Sequence, residues 1–108
     1  MEATIEDFGK LDIRIATIVA VEDHPNAEKL YILKLNVGSE ERQVVAGMKG
    51  YYSKEEPVGK QIAFVYNLKP AVIRGAESQG MILAADDGKG KVVFLMPERK
   101  IENGSKVR

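Results

Sequence analysis

Leu11 to Val21, LDIRIATIVAV, alternates apolar and other residues for most of its length. In an extended chain Leu11, Ile13, Ile15, Thr17, Val19 and Val21 share one face, with Asp12, Arg14 and Ala16 on the other. β-branched residues dominate, so the segment is expected to form one long strand. EDHPNAEKL follows, and its Pro25–Asn26 pair predicts a turn or a single helical turn. Leu30 to Val37 reads as a second strand, joined through GSEE to a third, RQVVAG at 42–47. Residues 48–60 read as a loop with room for a short helix, ended by Pro57 and Gly59, and Gln61 to Leu68 as a fourth strand. MILAA at 81–85, the turn DDGKG and KVVFLM at 91–96 complete the strand pattern, and PERKIENGSKVR forms a tail with a turn signal at Asn103–Gly104.

Between the fourth strand and MILAA lies NLKPAVIRGAESQGM, residues 67–81. Its proline and two glycines exclude an ordinary helix or a central sheet strand, so it reads as a strand-turn-strand corner. The whole pattern is that of an all-β domain. At this length the expected fold is a five-stranded oligonucleotide/oligosaccharide-binding (OB) barrel with a C-terminal extension and at most one short helix. A long, twisted first strand suits it, because such a strand serves both sides of a small closed barrel. A single domain is expected over residues 1–108, with a core at about 8–96 and an extension at 97–108.

Charge narrows the function classes. Sixteen basic residues balance sixteen acidic ones, which excludes a strongly basic protein coating nucleic acid through counterion release alone. The distribution is uneven: residues 1–9 carry acids only, whereas Lys60, Lys69 and Arg74 face Glu77 alone over 60–80. The absence of cysteine removes disulfides, thiolate metal sites and cysteine nucleophiles. No apolar run approaches a membrane span, and the acidic N-terminus is unlike a secretory signal, so the expected compartment is cytoplasmic with no membrane partner. A lone histidine, His24, gives no two-histidine metal site and reads as a turn residue before Pro25. Phosphate-loop, dinucleotide and nucleophile-elbow motifs are missing, and the paired carboxylates lie in loop-like context. No enzyme, metal or cofactor is expected.

What remains is binding chemistry. Lys69 and Arg74, set around Pro70, are of the type that contacts a phosphate backbone. Asn67, Ser78 and Gln79 are neutral donors and acceptors suited to sugar hydroxyls and base edges. On composition alone the same stretch reads as a satisfied turn with solvated charges. Lys29 by itself reads as ordinary surface, and Met81 as the start of a core run. Tyr51 and Tyr52, adjacent in a loop, cannot both face inward if the local chain is extended, which leaves one for a barrel cap, an interface or base stacking.

Three ordered segments, DIRIATIVAVEDHPNAEKLYILKLNVG at 12–38, RQVVAGMKGYY at 42–52 and NLKPAVIRGAESQGMILAA at 67–85, together resemble the tRNA-binding domain family. That family includes free-standing dimeric tRNA-binding proteins, C-terminal domains or β subunits of methionyl-tRNA synthetases, and synthetase-associated cofactors. The resemblance implies an OB barrel that recognises tRNA by shape, without chemistry on the RNA, as a homodimer or beside an aminoacyl-tRNA synthetase. Carried over by position, it implies RNA-facing roles for Lys29, Asn67, Lys69, Arg74, Ser78, Gln79 and Met81. One departure is visible: Ala71 and Val72 stand where many members place basic residues, which implies weaker binding than in those members. A dimeric peptide-binding chaperone associated with secretion shares the fold and resembles the chain almost as well, so it is the alternative. A purely structural docking module is a third reading. The segment from Leu95 to Arg108 is expected to pack on the barrel and to help form the dimer, because FLMPERKI carries apolar residues beyond the five strands.

Overall fold

A computed structural model describes all 108 residues of the chain. The elements are α1 (Ile5–Gly9), β1 (Ile13–Asp23), β2 (Tyr31–Asn36), β3 (Glu41–Ala46), β4 (Gln61–Val65), β5 (Ala71–Ile73), β6 (Ala76–Ser78), β7 (Met81–Ile82), β8 (Ala84–Asp86) and β9 (Val92–Phe94). One antiparallel sheet runs β3-β2-β1-β4-β7, and β5-β6 and β8-β9 form two small hairpins. β6 lies against β3, where Gln79 N donates to Gln43 O at 2.8 Å and closes the curled sheet. This is an OB-type barrel, as the strand pattern predicts.

β1 departs from simple alternation. Ala16 and Ile18 are fully buried in the main core with Leu33, Leu35, Val44, Ile62 and Phe64. Ile13 and Ile15 lie on the opposite face, in a second apolar cluster with Ala63 and Val65. Both faces of β1 are therefore buried, and Ala16 is an inward residue rather than a member of a polar face. A register shift between Ile18 and Ala20 makes Val19 a bulge residue, leaves it exposed and returns Val21 to the core face. The bulge supplies the bend that lets β1 pair with β4 over its first half and β2 over its second.

The edge of β1 beyond β2 is taken by the tail. Ile15 N donates to Ser105 O at 3.0 Å, Gly104 N to Ile15 O at 2.7 Å and Val107 N to Ile13 O at 2.8 Å. Thr17 Oγ1 donates to Asn103 Oδ1 at 3.0 Å, so the third residue of this face also meets the tail. The segment from Leu95 onward packs on the barrel, where Ala63 N donates to Leu95 O at 3.0 Å.

Other expectations shift in detail. The fourth strand ends at Val65, with Tyr66 to Leu68 in a turn, and MILAA divides between β7 and β8 at Leu83. The one helix is α1, while residues 48–60 form turns. Thr4 caps α1: its Oγ1 accepts from Asp7 N while the Asp7 carboxylate accepts from Thr4 N. No residue of α1 is buried. No helix is long and apolar enough to cross a membrane.

Candidate nucleic-acid interface

Residues 67–80 form an arm, the β5–β6 hairpin, laid along the edge of β3. Its turn is Arg74–Gly75, with φ of 54° and 90°. Positive φ at both central residues is the two-residue turn that follows the twist of a hairpin. Gly75 meets that demand freely, whereas Arg74 occupies a region that disfavours a side chain.

Side chains fasten the foot of the arm. Asn67 Oδ1 accepts from Asp12 N and its Nδ2 donates to Lys10 O, both at 2.8 Å. Ser78 is 5% exposed; its hydroxyl accepts from Val45 N and donates to Gly80 O, both at 3.0 Å. Gln79 Oε1 accepts from Gln43 N at 3.0 Å, and Gln43 Nε2 donates to Glu77 O at 2.8 Å. Arg42 Nη1 reaches the carbonyl of Tyr66, just before the arm, at 3.0 Å and that of Gln79, on its returning leg, at 3.4 Å. Gly80 sits at φ 145°, and a Cβ there would lie 2.7 Å from Val65 O. Only glycine lets the returning leg come this close to β4.

Seven residues are named by the sequence, and the structure sorts them into two groups. Lys29, Lys69, Arg74 and Met81 are exposed, and none of the three cations takes part in an ion pair. Asn67, Ser78 and Gln79 spend polar atoms on the backbone of the arm and its neighbours. Lys29 and Arg74 line one shallow depression with Asn26 and Glu28. Lys69 lies outside it, at the start of the arm, and Met81 at the arm's other foot, paired with Val65. Val72 is 72% exposed, presenting an apolar side chain where a cation was missed in the sequence.

A charged cluster lies beneath the arm. The guanidinium carbons of Arg14 and Arg42 each stand 4.0 Å from the centroid of the Tyr66 ring. Asp12 accepts two hydrogen bonds from Arg14, at 3.0 and 2.8 Å, and those bonds hold its carboxyl below the usual range. Arg42 donates to Glu40 at 2.9 Å, and Tyr66 Oη donates to the same carboxylate. The Arg42 bond, then the Tyr66 bond, lowers Glu40, while the bond to Glu40 raises the Tyr66 phenol. Tyr66 is thus occupied by arginines and is not a free stacking face. Of the adjacent tyrosines, Tyr52 turns inward and stacks on Phe94 at 4.6 Å, leaving Tyr51 exposed.

Sequence reasoning did not single out Arg42, Gln43 or Tyr66, and read Asn26 only as a turn residue. Their polarity was visible, but the partners that tie them to the arm or its foot lie 24 or more residues away.

Barrel and arm together define an OB-type binding module with unpaired cations along one edge. Residues 13–106 match the family model described as "Putative tRNA binding domain", and the chain belongs to that family. It is 54% identical over 102 residues to a methionine–tRNA ligase of Nanoarchaeum equitans, covering 94% of this chain and 13% of the ligase. A MetRS-related protein from Pyrococcus horikoshii superposes with a TM-score of 0.94 at 31% identity, over 100% of this chain and 99% of that one. The chaperone CsaA from Bacillus anthracis superposes with a TM-score of 0.90 at 31% identity, over the whole of both chains. The chain spans a small fraction, 13 to 15%, of the length of the methionine–tRNA ligases it matches.

Proposed function

We infer that this chain binds tRNA by shape and performs no chemistry on it, acting alone or as an accessory module of a methionyl-tRNA synthetase. Membership of the tRNA-binding family carries this reading. The exposed, unpaired Lys29, Lys69 and Arg74 supply its phosphate contacts, and Met81 an adaptable apolar contact at the arm's foot. Asn67, Ser78 and Gln79 serve the same surface indirectly, by fixing the arm. With no net charge, the chain gains little from general attraction, so a rigid surface matched to backbone and 2′-hydroxyl positions matters more.

A homodimer belongs to the same proposal. Leu95, Met96 and Ile101 are exposed beside the second apolar cluster, which is where a second copy would bury them. Two copies present two arms to one RNA and raise its effective affinity.

Filter binding at low salt tests the reading. Transfer RNA should be retained over double-stranded DNA, with retention weakened by Lys69→Ala or Arg74→Ala. Equal retention of all nucleic acids, or of none, would sink it. The likeness to a chaperone favours one other reading, in which the apolar face holds unfolded peptide. Suppression of client aggregation that survives both substitutions, without tRNA retention, would support that reading instead.

A further inference from the structure

The loop between β1 and β2 carries Lys29, and the arm tip carries Arg74. One buried side chain joins them. His24 is 5% exposed. Its Nδ1 accepts from Asn26 N at 3.0 Å, so the ring proton sits on Nε2, which donates to the Ile73 carbonyl at 2.9 Å. Asn26 Nδ2 donates to the next carbonyl, that of Arg74, at 3.4 Å. The loop therefore grips two consecutive carbonyls at the entrance to the turn. Those carbonyls flank the strained residue, Arg74 at φ 54°. Strain of this kind persists where the surroundings over-determine it.

We propose that His24 is a positioning residue for RNA recognition: it locks the Lys29 loop to the Arg74 turn, so that two cations distant in sequence act as one phosphate-binding pair. The proposal rests on the tRNA-binding reading above. Lys29 and Arg74 already share one depression. With the lock in place their spacing is set before RNA arrives, and less freedom is lost on binding. Without it, Arg74 relaxes toward ordinary backbone angles, and its guanidinium leaves the position beside Lys29.

The test is a double-mutant cycle on the full chain, with an unmodified tRNA transcript as probe and affinity measured at several salt concentrations. His24→Asn keeps an acceptor for Asn26 N but is too short to reach Ile73. Arg74→Ala should weaken binding about tenfold and His24→Asn about fivefold, with the double variant no weaker than about tenfold. The salt slope should fall by about 0.7 to 0.9 in either single variant and no further in the double. Arg74→Ala costing the same factor in both backgrounds would overturn the proposal and leave tRNA binding standing. Failure of the unsubstituted chain to bind the transcript would remove both. Thermal unfolding accompanies each variant. If His24→Asn unfolds at the assay temperature, Asn26→Ala replaces it, since that change removes only the bond to Arg74 O. Its effect should again be absorbed by Arg74→Ala, and full additivity would overturn the proposal.

Discussion

Along β3 the arm is fastened mainly by side chains: Ser78, Gln79, Gln43 and Arg42 each bond to backbone across the seam, beside one backbone bond from Gln79 N to Gln43 O. Along β1 the tail is fastened mainly by backbone, through Ile13, Ile15, Gly104, Ser105 and Val107, over an apolar cluster. Backbone pairing holds an edge whatever residues it carries; beside it the Gln61 amide holds the backbone of Ile101, whose apolar side chain faces outward. Side-chain pinning demands particular residues at each point, and it holds a hairpin that presents Lys69 and Arg74 beside the exposed, apolar Val72. The tail edge is suited to covering by another apolar surface, the arm edge to presenting fixed charges.

Substitutions that separate the two edges follow, the largest effect first. Gly80→Ala places a Cβ 2.7 Å from Val65 O at φ 145°, and should destabilise the chain by about 3 kcal/mol or more in urea unfolding. Ser78→Ala strips the partner from Val45 N, a buried donor, and should cost about 1–3 kcal/mol in the same assay. On the other edge, Ile101→Glu should change stability by less than about 0.5 kcal/mol, because the side chain is exposed. Light scattering should nevertheless show that variant as a monomer and the unsubstituted chain as a dimer. A dimer mass for both would separate the tail edge from association.

The smallest effect is expected from pH. Asp12 and Glu40 are lowered by their hydrogen bonds from Arg14 and Arg42. Carboxyls depressed in the folded state contribute stability above their unfolded value, about 4, and lose it as pH falls through the lowered folded values. The urea midpoint should therefore be level between about pH 5 and 9 and decline below about 4. A midpoint that rises on acidification would contradict the role given to the Arg14–Tyr66–Arg42 cluster.

Much of the fold was legible in the sequence because alternation and turn residues are local signals. The β2–β3 hairpin and β4 fall close to where the pattern places them. β1 was only half legible, because a bulge at Val19 changes which residues face inward and leaves no mark in composition. α1 was missed because it buries no residue and so has no apolar stripe, although Thr4 and Asp7 at capping-box spacing were its available signal. In the site, exposure of Lys29, Lys69 and Arg74 agrees with their charge. What sequence could not separate was Asn67, Ser78 and Gln79 from these, since a polar side chain looks the same whether its partner is solvent or a backbone atom. His24 is the sharpest case: it reads as a turn residue, and in the fold it reaches Ile73, 49 residues on.

The central claim is that the arm edge is a face for folded tRNA. It is tested most directly by a panel of intact tRNA, tRNA half-molecules and single-stranded RNA at one defined salt concentration, against the chain and its Lys29→Ala/Lys69→Ala/Arg74→Ala variant. Intact tRNA should bind at least about tenfold more tightly than the other RNAs, and the triple variant should lose that preference with a salt slope lower by about two to three. Equal affinity across the panel, or a triple variant that binds tRNA as well as the original chain, would contradict the account.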